Sequence, residues 1–209
     1  MVLEVPDCSP SFENFDYTTI WEEHITYFTP RSFKTAINRA GFEFLEFCSY
    51  PYSYENSLVG ILKFTPKVAD TDLDVSEDMR IGAAFSHNFK AEKRRANTFF
   101  ERYVAQNGKI AIFGAGHLSA AYVNFMDVGR HLKFVVDDHP KKQGLYLPGS
   151  KLEIRGSKAL LTEKIRLCLL TLSPESEEKV INSGRDFTNS GGRFASVLKG
   201  SKYVLKYEN

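Results

Sequence analysis

Hydrophobic residues in the second half of the chain fall into two alternating patterns. Short apolar runs bounded by turn residues predict strands over residues 109–113, 132–137, 165–172 and 194–198. Between them, apolar positions at helical spacing predict helices over residues 118–128 and 174–183, with Ser173 as the N-cap of the second. Strands that alternate with helices of this length form a parallel sheet covered on both faces. The pattern therefore predicts an α/β domain over residues 107–209.

The first third of the chain has a less regular pattern. The run Val2–Pro6 predicts a short buried strand that stops at the proline. Thr29 and Pro30 predict the N-cap and the first position of a helix, which Gly41 ends. Two further strands are predicted over residues 42–47 and 57–64.

A polar, acidic stretch over residues 66–74 predicts a domain boundary. Beyond it, apolar residues at intervals of three and four predict one long helix that is capped by Ser76–Asp78. This helix carries four basic residues, Lys90, Lys93, Arg94 and Arg95. They form either a solvated face or a contact to an anionic ligand. The chain is thus predicted to divide into residues 1–66, 67–106 and 107–209.

Composition and charge narrow the class of protein. Lys and Arg number 27 against 26 Asp and Glu, so no overall field favours nucleic acid or an anionic membrane. The three cysteines include no C-x-x-C pair, so neither a metal site nor a disulfide framework is expected. The sequence shows no signal peptide and no apolar run of about 18 residues. A cytoplasmic protein is therefore expected.

The Gly114-Ala115-Gly116 turn is the clearest candidate for chemistry. It follows a predicted strand and opens a helix, where the first glycine permits a tight turn and the second lets an anion approach backbone amides. Ser119 occupies the third glycine position of the dinucleotide fingerprint. Asp137 ends the next predicted strand, 21 residues after Gly116, where a carboxylate can bind ribose hydroxyls. The turn makes the predicted domain Rossmann-like.

Other interpretations of the turn remain open at the level of sequence. The glycines can serve only to pack the helix tightly on the sheet, and Asp137 can be a solvated acid or a loop cap. An NAD(P)-binding Rossmann protein is a further alternative. It is weakened because only some 70 residues follow Asp137, which leaves little room for a second nucleotide half and a catalytic domain.

A second candidate lies near the start of the chain. Glu22, Glu23 and His24 stand between Trp21 and Tyr27, a mixture more polar than a core favours. Neighbouring carboxylates favour the cationic form of a histidine and can orient it, which suits a general base. An ordinary surface or core histidine is the alternative.

Two segments resemble one known family. Val2–Pro6 followed by Ile20–Thr29 is similar to the later part of SAM-dependent C-methyltransferases that act on nucleotide-linked deoxysugars, in which a Glu-His pair precedes Tyr-Phe in the same way. Val136–Gly149 is similar to that family's Val-Asp…Pro-x-Lys-Gln-Gly-x-Tyr-x-Pro-Gly signature. The resemblance covers nearly the whole chain, in the correct order.

The resemblance implies a fold and a chemistry. Residues 1–66 would be a partial class I methyltransferase segment, 67–106 a linking helix and 107–209 a Rossmann-like domain that binds a nucleotide sugar. A base removes a proton beside a ketone, and the resulting enolate takes the methyl group of SAM. The catalytic residues would be His24 as the base, Glu23 and Tyr27. The residues assigned to the nucleotide sugar are Gly114, Gly116, His117, Asp137, Lys142 and Gln143.

The sequence also departs from this family. It lacks the clustered cysteines of a zinc-binding region, and its only G-x-G lies at 114–116, outside the methyltransferase segment that would hold SAM. We therefore expect that the chain alone does not bind SAM or transfer a methyl group. It would act with a separate SAM-binding polypeptide, or associate with itself through an unpaired strand edge. A decayed, inactive gene product and a stand-alone nucleotide-sugar-binding module are the alternatives.

Overall fold

A computed structural model of the protein describes residues 1–20, 24–52, 55–65 and 75–207. The chain forms two compact units, one of residues 1–16 and 22–88, the other of residues 17–21 and 89–209. Among the described residues, no helix is both long and apolar enough to cross a membrane.

The N-terminal unit is built on a small antiparallel sheet. Its elements are β1 (Val2–Asp7), α1 (Ser9–Glu13), α2 (Pro30–Arg39), β2 (Phe42–Tyr50) and β3 (Asn56–Phe64), and the strand order is β1-β3-β2. The core joins Phe33 and Ile37 of α2 to Leu58 and Leu62 of the central strand. A β-bulge shifts the register of β2 between Phe44 and Glu46.

The expectation for the first strand is wrong in two respects. β1 is an edge strand that alternates between exposed and half-buried residues, and it continues past Pro6 to Asp7. Pro6 lies opposite Ser57 in the register with β3. A proline interrupts a central strand because it lacks an N–H, but an edge strand has one side that needs no donor. Leu3 and Val5 pack against the core.

The start of α2 is as predicted. The Thr29 side chain accepts a hydrogen bond from the Ser32 amide, the Ser32 hydroxyl accepts one from the Thr29 amide, and Pro30 occupies the first turn. The helix ends at Arg39, and Gly41 has a φ of +81°. The Asp78 carboxylate, near the start of α3 (Ser76–Gln106), accepts hydrogen bonds from Thr29 Oγ1 at 2.8 Å and Arg31 Nε at 3.0 Å.

The C-terminal unit contains the predicted Rossmann-like parallel sheet. Its strands follow the order β6-β5-β4-β7-β8, all parallel, with β4 and β7 buried along their whole length. In chain order its elements after α3 are β4 (Ile110–Phe113), α4 (His117–Met126), β5 (Leu132–Val136), β6 (Ile154–Arg155), α5 (Ala159–Thr162), β7 (Leu167–Leu170), α6 (Pro174–Ser183), α7 (Arg185–Asn189) and β8 (Arg193–Ser196). Single 3₁₀ turns occur at Tyr17–Thr19 and Gly129–His131.

This strand order places a crevice beside the glycine turn. The chain runs outward from β4 through β5 to β6 and then returns to the other side of β4 with β7. In open α/β sheets, ligands bind at the carboxyl ends of the strands where the order reverses. The crevice therefore lies between the carboxyl ends of β4 and β7.

Ion pairs account for part of the basic group on α3. Glu92 is buried and accepts hydrogen bonds from Arg95 at 2.6 Å and Lys199 at 3.1 Å. Lys93 lies 3.9 Å from the Asp127 carboxylate. All three ion pairs lie within the C-terminal unit, so these basic residues stabilise the protein itself.

Glu177 of α6 is a second buried carboxylate, and only 1% of it is exposed. Its Oε2 accepts a hydrogen bond from the Ser201 hydroxyl at 2.5 Å. No described residue hydrogen-bonds its buried Oε1. Burial raises the pKa of Glu177, and the neighbouring Ser196 and Ser201 hydroxyls offset only part of that effect.

Glu177→Gln should change how stability depends on pH. Because the folded state holds the proton more tightly than the unfolded state, the wild-type protein loses stability as pH rises above the ordinary value of 4.5. The amide cannot ionise, so urea unfolding should find the variant more stable than wild type by about 1 kcal/mol at pH 7.5, with no such gain at pH 4. The exposed neighbour Glu175→Gln is the control and should keep the wild-type slope. An identical slope in Glu177→Gln would contradict this account.

Candidate functional site

Gly114 is required by the backbone and by its neighbours. It has a φ of +105°, in the region that disfavours residues with a side chain. A Cβ at this position would lie 2.8 Å from Leu172 Cδ2 and 3.0 Å from the Thr171 carbonyl. The Gly114 amide donates to the Val136 carbonyl at 2.8 Å, joining the turn to the end of β5. The first glycine therefore has a structural role.

Gly116 has no such requirement. It is the N-cap of α4, its φ is −128°, and a Cβ built on it meets no atom within 4 Å. Its position also gives the helix no side-chain cap. A helix that begins this way offers backbone N–H groups and a partial positive charge to an anion. The open space at Gly116 is thus available for a ligand.

Ser119 and His117 lie in the first turn of α4. Ser119 is fully buried, and its hydroxyl donates to the Gly116 carbonyl at 2.9 Å, so it fits the position that a third glycine occupies in the dinucleotide fingerprint. His117 is the first residue of the helix and is half-buried.

Asp137 joins the turn to the loop after β5. Its Oδ2 accepts hydrogen bonds from the Ala115 amide at 3.0 Å and from Lys142 Nζ at 2.8 Å, and its Oδ1 accepts one from the His139 amide at 2.9 Å. Burial by itself would raise the pKa of this carboxyl, but the three hydrogen bonds and the Lys142 charge outweigh burial and hold the pKa below its ordinary value. Asp137 is therefore an ionised loop cap.

Lys142 also links the glycine turn to the loop after β5, and we call these contacts of Asp137 and Lys142 with the turn its closure. Its Nζ donates to the Ala115 carbonyl at 2.9 Å as well as to Asp137. Its side chain is 42% exposed, so the ammonium group can still meet an anion. Gln143 donates from Nε2 to the Asp137 carbonyl at 3.3 Å, and a Cβ on Gly156 would lie 3.1 Å from the same Nε2. Lys142 and Gln143 thus both shape the loop, and Lys142 adds a positive charge beside Gly116.

The charge at this turn bears on which ligand it can accept. The ammonium group of Lys142 disfavours a cationic group beside it, and the Asp137 carboxylate already accepts three hydrogen bonds. The same geometry favours an anionic group over the turn. Thr171, to which no sequence pattern pointed, follows the carboxyl end of β7 and donates from Oγ1 to the Phe113 carbonyl at 2.8 Å.

The second candidate group lies in the N-terminal unit. Glu23 falls outside the described residues, as do its neighbours Trp21 and Glu22. His24 and Tyr27 are described, and their rings meet edge to face with centroids 5.9 Å apart. The structure therefore places the predicted base beside the predicted tyrosine.

Sequence reasoning missed a carboxylate near His24. Burial raises the pKa of Glu55, and the positive charge of His24 acts in the opposite direction. Glu55 also affects the pKa of Cys8. Burial raises this pKa to about 11, and the charges of Glu55 and Asp7 raise it to a smaller extent. Glu55 lies in the Tyr-rich connection between β2 and β3, where no local pattern indicated a functional carboxylate.

A cavity of about 390 Å³ adjoins this carboxylate. Glu55 lines it together with Glu4 and Pro6 of β1 and Tyr52. Glu4 is held in place because its Oε1 accepts a hydrogen bond from the Ser57 hydroxyl at 2.6 Å. The cavity is thus acidic and lies next to the residue that influences His24.

Comparisons with solved structures return partial matches. The chain is similar to the crystal structure of RSP, a Rex-family repressor, with 21% sequence identity, a TM-score of 0.34, and coverage of 46% of this chain and 50% of that chain. It is also similar to the structure of RSP in complex with beta-NAD+ and operator DNA, with 17% identity, a TM-score of 0.34, and coverage of 60% and 56%. The chain thus spans about half the length of either structure.

Comparison with protein families gives a more extensive match. No curated protein matches the chain. The model of the C-methyltransferase C-terminal domain matches residues 69–198, which include α3 and all of the sheet from β4 to β8. The matched region contains the glycine turn, Asp137 and Lys142. The chain belongs to the family defined by the C-methyltransferase C-terminal domain.

Proposed function

We propose that the chain binds a nucleotide-linked keto-sugar through its C-terminal unit and supplies His24 as the general base for methylation at carbon. The open space at Gly116 carries this proposal. The fold does not require a glycine there, whereas an anion that approaches the amides of α4 does. Lys142 supports a diphosphate ligand because its half-exposed ammonium group lies at the same turn.

The three hydrogen bonds that Asp137 already accepts favour a nucleotide sugar over a nicotinamide dinucleotide. In a dinucleotide site, the carboxylate at the end of the second strand accepts hydrogen bonds from the adenine ribose. Here that carboxylate already binds Ala115, His139 and Lys142. A dinucleotide would have to break the ion pair with Lys142, while the diphosphate of a nucleotide sugar need only approach it. We therefore expect NAD⁺ and NADP⁺ to bind weakly.

The chemistry assigned to the N-terminal unit is proton transfer. His24 takes the proton from the carbon beside the ketone, and the electrons of the broken C–H bond form the enolate. The imidazole then carries a positive charge, which the Glu55 carboxylate stabilises. Tyr27 limits the orientations of the ring by edge-to-face contact.

SAM supplies the methyl group in the C-methyltransferases that this chain resembles. Because the Lys142 ammonium group at the glycine turn disfavours a cation such as the sulfonium of SAM, we propose that a separate SAM-binding polypeptide supplies it. Methyl transfer is then expected only when that partner is added. A module that binds a nucleotide sugar without catalysing any step is the second candidate function, and the two differ in whether His24 exchanges a substrate proton.

Substitutions of the two glycines should affect different properties: the first lowers stability, and the second lowers affinity for the ligand. Gly114→Ala should lower the free energy of unfolding by about 1–3 kcal/mol, because of its positive φ and the collision with Leu172. Gly116→Val should cost less than about 1 kcal/mol of stability. It should nevertheless weaken the binding of dTDP-glucose at least tenfold, because the side chain fills the space over the helix end. Urea unfolding and isothermal titration measure the two effects.

Gly200→Val is the matched control for this pair. A Cβ on Gly200 also meets no atom within 4 Å, so the substitution adds the same volume at another open position, outside the glycine turn. It should leave the affinity for dTDP-glucose unchanged. Binding by Gly116→Val at wild-type affinity would contradict the proposed site, and so would tight binding of SAM by the isolated wild-type chain.

The base can be tested without a methyl donor. In D₂O, the chain should catalyse exchange of the proton beside the ketone of dTDP-4-keto-6-deoxyglucose, followed by NMR. His24→Ala should slow this exchange by about 100-fold or more, the usual contribution of a positioned base. Glu55→Gln should slow it about tenfold, because the cationic imidazole then loses its stabilising carboxylate.

His87→Ala is the control for the exchange experiment. His87 is an exposed histidine on α3 whose Nδ1 lies 2.8 Å from the Ala83 carbonyl, and its loss should leave the exchange rate unchanged. If the wild-type chain binds the keto-sugar and the proton does not exchange, the non-catalytic module is the correct function.

A further inference from the structure

A second cavity lies at the opposite end of the parallel sheet from the glycine turn. It has a volume of about 320 Å³ and is enclosed by the second half of α3, the first residues of β8 and the segment 202–206. The glycine turn follows the carboxyl end of β4, whereas this cavity adjoins the amino end of β8. Its volume is in the range of small-molecule sites. Nothing in the proposed methyltransferase chemistry uses it.

The outer edge of β8 gives this cavity a specific hydrogen-bonding group. Arg193 donates its amide to the Arg166 carbonyl and Val197 donates to Leu170, so odd-numbered residues of β8 pair with β7. Even-numbered residues therefore direct their amide and carbonyl outward. Ser196 does so, donating to the Tyr203 carbonyl and accepting from the Leu205 amide.

The main chain of Phe194 is oriented like that of Ser196 but is not hydrogen-bonded to the 202–206 segment. Its amide and carbonyl point outward two residues before Ser196, into the cavity, and no described residue pairs with them. Its ring packs on Phe187, with centroids 4.9 Å apart, and the side chains of a strand stand perpendicular to the sheet. The ring thus leaves the edge accessible. One donor and one acceptor stand side by side at the floor of the cavity.

This free edge is too short to add a peptide strand. The segment after Ser201 already covers the edge from Ser196 onward, so only one outward-facing residue remains within β8. Strand addition needs several consecutive main-chain pairs. A single donor–acceptor pair instead matches a planar heterocycle that carries an adjacent acceptor and donor, such as the N1 and amino group of adenine.

The walls supply flat aromatic surfaces and positive charge. Phe99 and Tyr103 project from α3, with ring centroids 5.8 Å apart, and Tyr203 also lines the cavity. Burial raises the pKa of the Tyr103 phenol, and the positive charges of Arg193 and Arg166 act in the opposite direction.

The cations at the cavity differ in their pairing. Lys202 forms an ion pair with Glu178. Arg193 and Lys206 form no ion pair with any described residue. Within the part of the chain that the structure describes, the cavity thus has two positive charges without an ion-pair partner beside its aromatic walls, and this charge is complementary to an anionic aromatic ligand.

We propose that this cavity binds a mononucleotide. The base lies against Phe99 and Tyr103 with its donor–acceptor edge on the Phe194 main chain, and the phosphate lies near Arg193 and Lys206. This site is separate from the glycine turn and does not depend on the function proposed for that turn.

Titration of the ¹⁵N-labelled chain with AMP tests this proposal. The amide resonance of Phe194 should move downfield because the base accepts a hydrogen bond from its N–H. Arg193→Gln should weaken AMP binding about tenfold, while Arg185→Gln, a control at an exposed arginine of α7, should leave it unchanged. Phe99→Leu should also weaken binding, because the base loses an aromatic surface.

Two further probes separate recognition of the base from simple attraction of an anion. Ribose 5-phosphate should bind far more weakly than AMP, and adenosine should bind but without sensitivity to Arg193→Gln. Equal affinity for ribose 5-phosphate and AMP would overturn the proposal, as would an unmoved Phe194 amide. Because Gly116→Val is expected to weaken binding at the glycine turn and not at this cavity, titrations in that background distinguish failure at one site from failure at the other.

Discussion

The carboxylate of Asp137 is the group on which the arrangement of the candidate site depends. It joins the turn after β4 to the loop after β5 through Ala115, His139 and Lys142. Because one of these partners is an ammonium group, the closure is charge-assisted and holds a cation at the turn. The same interaction removes the carboxylate from the role that it has in dinucleotide sites. Under the proposed function, this arrangement favours the diphosphate of a nucleotide sugar at the turn.

The two glycines of the turn differ in what they contribute: packing requires Gly114, whereas Gly116 leaves space for the proposed ligand. Gly114 is fixed by its positive φ and by the close approach of Thr171 and Leu172, so its identity follows from packing alone. Gly116 has an ordinary φ and open space around it. The alternative in which the glycines only pack the helix on the sheet thus accounts for the first glycine and leaves the second without a reason. Access for the proposed anionic ligand would account for the second.

Much of the C-terminal unit could be predicted from sequence because its strands are continuous apolar runs. The two-residue strand β6 could not, since its signal is shorter than any hydrophobic period. Sequence reasoning placed Asp137 correctly at the strand end but could not decide between ribose binding and loop capping, because that choice depends on where the Lys142 side chain goes. Glu55 was missed for a similar reason: its relation to His24 arises from tertiary structure.

The most direct test of the central claim is an amide NMR titration of the wild-type chain with dTDP-glucose. If the diphosphate binds over the start of α4 and the Asp137 closure persists, the Gly116 and Leu118 amides should shift strongly. The Ala115 amide resonance should remain near its original chemical shift, because this N–H continues to donate its hydrogen bond to Asp137. Saturable binding that leaves Gly116 and Leu118 unmoved, or that shifts Ala115 the most, would contradict this account of the turn.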